Sequence, residues 1–170
     1  MADIKVIPAR TALIEKVSET GGKSFEDMAK EGALIAEKYA SQFPPMAMQS
    51  INSLHQLIED IATGNGYAID KTRAFDHLLH NLKGQGGTFG WPLLTEIATA
   101  FCDFLEKLQL AGLDMAASDR SILPIAKMHV NAMQQVMERK IKDSEDVLGR
   151  ELINGLRKVT KKMTEALPQS

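Results

Sequence analysis

Apolar residues recur every three or four positions along almost the whole chain, and nowhere do they alternate with period two for long. That spacing gathers them on one side of a helix, so the sequence predicts helices with faces to bury and no strands to pair. Leu94, Ile97, Phe101, Leu105 and Leu108 trace one such face. Met48, Ile51, Leu54, Leu57, Ile58 and Ile61 trace a second, and Leu148, Leu152, Leu156, Val159 and Met163 a third. Glycines and prolines mark the breaks. Gly21-Gly22 precedes Ser24, which with Asp27 three residues on reads as the N-cap of a helix to about Ser41. Pro44-Pro45 opens the next helix and Gly64-Asn65-Gly66 closes it. A third helix covers about Tyr67 to Thr88. A fourth starts on Pro92, a good first helical residue, and stops at Gly112. A fifth begins near Asp119 or Ser121, with Pro124 tolerated in its first turn, and reaches about Lys142. A sixth covers Glu145 to about Ala166.

The expected fold class is therefore all-α. Short connections make the middle four helices an antiparallel four-helix bundle, with additional helices at the N- and C-terminal ends. In domain terms, residues 1–23 form an N-terminal arm and 24–166 a single helical domain. Its core bundle covers about 45–142, flanked by helices over 24–41 and 145–166. At 170 residues there is room for one sizeable core and not for two. Lys and Arg number 20 against 22 Asp and Glu, a net charge of -2 that gives no electrostatic basis for binding nucleic acid. Cys102 is the single cysteine, so neither an intrachain disulfide nor a cysteine-based zinc site is expected. Four dispersed histidines offer no metal-ligand spacing. No apolar run approaches a membrane span or a signal-peptide core, so the expected location is the cytoplasm.

One segment differs from the rest. His80-Asn81-Leu82-Lys83-Gly84-Gln85-Gly86-Gly87-Thr88-Phe89-Gly90 sets glycines into a helical pattern, each costing up to about 1 kcal/mol relative to alanine. Sequences accept that where something must approach the backbone closely. On a wheel of roughly 100° per residue, Phe75, Leu78, Leu79, Leu82, Gly86 and Phe89 form the core face, and His80 points roughly 140° away from Phe75. Gly84 and Gly87 follow His80 on its own side, leaving the ridge beyond the imidazole bare, while Lys83 and Asp76 lie one turn to either side. A neutral imidazole is nucleophilic near neutral pH. An exposed one with a nearby ammonium and open approach has what a phosphoryl acceptor needs, because the incoming group spreads negative charge over its equatorial oxygens.

The string His80-x-Leu82-Lys83-Gly84, continued to Gly90 and followed by an amphipathic helix, resembles the signature of histidine-containing phosphotransfer (Hpt) domains. Gly87-Thr88-Phe89-Gly90 is similar to the phosphotransfer domain of chemotaxis-type histidine kinases, and the resemblance covers about Pro45 to Lys140. It implies a four-helix bundle in which His80 is the phosphoacceptor, Lys83 an accessory cation, and Gly84, Gly87 and Gly90 structural or receiver-facing. Asp76 falls on the same receiver-facing side. Gln85 stands where the family has a small residue and is a candidate phosphoryl contact. A Glu or Gln that many members place on the following helix is replaced by Cys102, with Thr99 one turn before it.

The function this implies is a phosphorelay intermediate that takes a phosphoryl group from one receiver-domain aspartate and passes it to another. It is a carrier, not an independent enzyme, since no glycine-rich nucleotide loop is present. No cofactor is expected, and magnesium would sit in the receiver. A response-regulator receiver is the expected partner and a histidine kinase a second candidate; a homodimer is compatible with the sequence but not predicted by it. The alternative reading is an Hpt-like docking or dimerisation adaptor that carries no phosphate. His77, His55 and the basic residues of the last helix read as solvated surface, and His129 and Cys102 as packed interior.

Overall fold

The computed structural model describes residues 22–64, 68–113 and 122–166. Among them are five α-helices and no strand: α1 Phe25–Thr63, α2 Ala68–Thr88, α3 Pro92–Leu110, α4 Ile122–Arg139 and α5 Val147–Glu165. None of these helices is long and apolar enough to cross a membrane. Residues 1–21 of the N-terminal arm, Asn65 and Gly66 of the first turn with Tyr67 after them, and the start expected near Asp119 or Ser121 lie outside the described residues. The chain groups into two compact units, Met1–Glu37 and Lys38–Ser170.

In the first unit, Ser24 caps α1 as its spacing suggests. The Asp27 amide donates to Ser24 Oγ at 3.0 Å, and the hydroxyl in turn donates to Asp27 Oδ2 at 2.8 Å. None of residues 22–37 is buried. The helix does not end near Ser41. The helix expected over 24–41 and the one expected to start at Pro44 are a single element, with both prolines inside it. Neither proline can donate a helical hydrogen bond, yet Phe43 and Ala47 on either side are buried, so packing holds helical a stretch whose local preference is to break.

The second unit carries one hydrophobic core to which all five helices contribute. Phe43, Ala47, Ile51, Leu54 and Ile58 come from α1; Phe75, Leu79 and Leu82 come from α2. Helix α3 is apolar on more than one side because it packs against α2, α4 and α5 at once. Its Phe101 meets Phe75 edge-on at 5.5 Å. Helix α4 is tied to α1 by His55 Nε2, 2.9 Å from Gln134 Oε1, and by Lys127 with Glu59 at 2.6 Å. His55 is thus half-buried and partnered rather than a bare surface residue.

The last helix buries a different face from the expected one. Asp146 caps α5 by accepting from the Leu148 and Gly149 amides, and the buried residues are Gly149, Ile153, Leu156 and Thr160. Leu148 and Val159 stay exposed. The rotation has two fixed points. Gly149 sits where any Cβ would collide with the Asp143 carbonyl, and Thr160 Oγ1 lies 3.3 Å from the buried ring of His129.

Candidate functional site

His80 stands on α2 with its side chain exposed, eight residues before the helix ends at Thr88. Phe75, Leu79 and Leu82, on the opposite side, are each at most 2% exposed. Phe89, on the same core face, is half-buried and packs on Phe43 with centroids 5.1 Å apart. Asp76 and Lys83 flank His80 at one turn's distance and are half-buried. Both come near Cys102 on α3. Burial pushes the Cys102 thiol up from its ordinary pKa, the Lys83 ammonium opposes that, and the Asp103 and Asp76 carboxylates add to it. Cys102 therefore lies within electrostatic range of the charges on either side of His80.

The four glycines divide by what surrounds them. A Cβ on Gly84 would meet nothing within 4 Å, and one on Gly87 would meet Thr95 Oγ1 at an ordinary 3.6 Å. The ridge beyond the imidazole is bare and its width is set by these two. Gly90 has φ of +80°, the left-handed conformation that ends α2 and that glycine adopts without strain. Gly86 alone is packed tight: a Cβ there would fall 2.7 Å from Thr95 Oγ1, 3.1 Å from the Trp91 carbonyl and 3.2 Å from the Thr95 amide nitrogen.

Thr95 is the residue that sequence reasoning missed. Its hydroxyl accepts from the Gly87 amide at 2.7 Å and donates to the Lys83 carbonyl at 3.0 Å. Those two backbone groups are the i→i−4 pair of an α-helix, so a side chain from α3 bridges one rung of α2. The Trp91 amide adds a bond to the Gly86 carbonyl at 2.8 Å. Lys83 is thereby fixed at its backbone by a neighbouring helix. The signal in the sequence was Gly86: a glycine on a core face marks a close approach, and Thr95 in the first turn of α3 is within reach.

Other candidates fall elsewhere. Gln85 is set roughly 140° round α2 from His80, and lines a hollow of about 180 Å³ with Met46, Ser50 and Asn81. His77 is exposed, its Nδ1 3.3 Å from Asn81 Nδ2. His129 is fully buried and stacked on Phe101 at 4.6 Å, out of reach of any macromolecular partner. Among the described residues no group of His, Cys, Asp and Glu could hold a metal ion. His80 with Lys83 and Asp76 can offer a nucleophilic ring nitrogen, a nearby cation and an unobstructed approach along α2. No protein-family model, curated protein or solved structure matches the chain.

Proposed function

We propose that the chain is a histidine phosphotransfer protein, carrying a phosphoryl group on His80 between receiver-domain aspartates in the cytoplasm. The observation that carries this is the exposed imidazole of His80 on a packed helix, beside Lys83 and a ridge left bare by Gly84 and Gly87. In the transfer, a ring nitrogen forms an N–P bond as the acyl-phosphate P–O bond breaks, and the electron pair leaves on the receiver's carboxylate. The other ring nitrogen releases its proton. Lys83 offsets the charge on the equatorial oxygens, Asp76 and the glycine ridge face the receiver, and Gly90 ends the helix. Gln85 has a lesser part, since it faces away from His80.

The reading takes α1 to α4 as an antiparallel four-helix bundle with α5 added to it. Paired contacts support that direction: Phe43 with Phe89, one residue past α2, and Asp60 with Lys71 between α1 and α2, His55 with Gln134 and Glu59 with Lys127 between α1 and α4. In each pair of helices, residue numbers rise on one element as they fall on the other.

The test is incubation of the purified chain with a phosphorylated receiver, followed by assay for acid-labile, base-stable label. Wild type should take up label, His80→Ala should take up none, and Lys83→Ala should be slower by several-fold, about 1 kcal/mol for a partly screened charge. Label on His80→Ala would overturn the assignment. Receiver binding without label on wild type would replace it with an adaptor role.

A further inference from the structure

Between α3 and α5 the second unit leaves a cleft of about 440 Å³, a size in the ordinary range of small-ligand sites. Its deepest lining residues are Phe104, which is fully buried, and Thr160, whose hydroxyl is engaged by the ring of His129 at 3.3 Å. Ala100, half-buried, lies between them and the opening. Such a floor accepts an apolar group and asks for no hydrogen bond from it.

The walls carry the polar groups. Thr99, Asp103 and Lys107 follow one another at four-residue intervals, so they stand in one row along the α3 wall. Among the described residues, the side chains of Asp103 and Lys107 form no ion pair or hydrogen bond, and the Thr99 hydroxyl forms no hydrogen bond. From α5, Lys161 adds a second ammonium, held only by a loose 3.7 Å contact with Glu165 on its own helix. The remaining charges of the cleft, Arg157 and Glu96, already pair with each other at 3.2 Å.

Those groups say what fits. A simple organic anion would find the two lysines but would also face the Asp103 carboxylate. A simple cation would find Asp103 between two ammonium groups. A molecule that carries an ammonium and a carboxylate close together, with an apolar substituent, meets both signs and the floor at once.

We infer that the α3/α5 cleft binds a free α-amino acid with an aliphatic side chain. Its carboxylate pairs with Lys107 and Lys161, its ammonium donates to Asp103 and to the Thr99 hydroxyl, and its side chain covers Ala100 and Phe104. The inference is independent of phosphotransfer, and His80 takes no part in it.

The test is titration of the full-length chain with leucine, followed by calorimetry and by amide chemical shifts. Leucine should bind with a Kd of about 1 mM or below and shift the amides of α3 and α5 that line the cleft. Isocaproate, which lacks the amine, and isoamylamine, which lacks the carboxylate, should each bind about fivefold more weakly, the loss expected from one partly screened ion pair. Asp103→Asn and Lys107→Met, both at exposed positions, should weaken leucine binding by a similar factor without changing the circular dichroism. Asp103→Asn should also abolish the preference for leucine over isocaproate, which a merely structural disturbance would leave in place. Absence of saturable leucine binding up to about 20 mM overturns the inference. So does equal affinity of the wild type for leucine and isocaproate, or shifts confined to other helices.

Discussion

A buried imidazole is neutral unless something stabilises its charge, and the described groups bonded to His129 are both uncharged. Its Nδ1 lies 2.9 Å from the Ile125 carbonyl and its Nε2 3.3 Å from Thr160 Oγ1. Burial holds its pKa below the ordinary 6.5, and the carbonyl offsets this in part. The unfolded chain therefore binds a proton in a range where the folded chain does not, and folding stability falls as pH drops below about 6.5. The loss, up to about 1.4 kcal/mol per pH unit, ends once pH passes the lowered folded value. Urea denaturation at pH 7.5 and pH 5 should show wild type losing more stability than His129→Gln. Cys102 gives a second residue-scale check. Because Lys83 pulls the thiol pKa down, Lys83→Ala should raise it and slow alkylation of Cys102 by iodoacetamide at mildly alkaline pH. An unchanged rate would separate the two side chains. The outward direction of His80 was legible from the wheel alone, since it needs nothing but the position of Phe75 and Leu79. The partner of Thr95 was not, because a hydroxyl bond across two helices depends on how closely they approach.

At the scale of elements, the glycines of α2 should behave in opposite ways. Gly84→Ala adds a methyl in open space to a helix, and should raise stability by up to about 1 kcal/mol. Gly86→Ala drives a Cβ against the Trp91 carbonyl and Thr95, neither of which can yield without moving α3, and should cost about 2 kcal/mol. Thermal or urea unfolding of the two variants checks both signs at once. Helix starts with a chemical reason were readable: Pro92 opens α3 and Ser24 caps α1. Two element-level expectations failed for tertiary reasons. The Pro44-Pro45 break was overridden by the burial of Phe43 and Ala47. On α5, Leu148 and Val159 keep the apolar period yet face outward, because the helix is oriented by Gly149 and Thr160, whose importance no hydropathy pattern carries.

For the molecule as a whole, composition and period were enough to reach the all-helical architecture of the described residues, since that follows from where apolar residues recur. That residues 22–37 are exposed throughout was not legible, because their apolar spacing is as regular as that of helices that are buried. The Thr95 bridge has a consequence for how the molecule breathes. The rung between Lys83 and Gly87 is completed by α3, so the end of α2 and the beginning of α3 cannot loosen separately. They form one cooperative opening unit, and native-state hydrogen exchange should give the amides of Gly87 and Trp91 the same opening free energy. Thr95→Val keeps the shape but strands the Gly87 amide and the Lys83 carbonyl, and should lower that shared protection by about 1 to 2 kcal/mol. Protection elsewhere in α4 should be unchanged. The stretch that presents Lys83 would then be a segment whose order is lent by its neighbour, opening and closing on a timescale set by the contact between two helices.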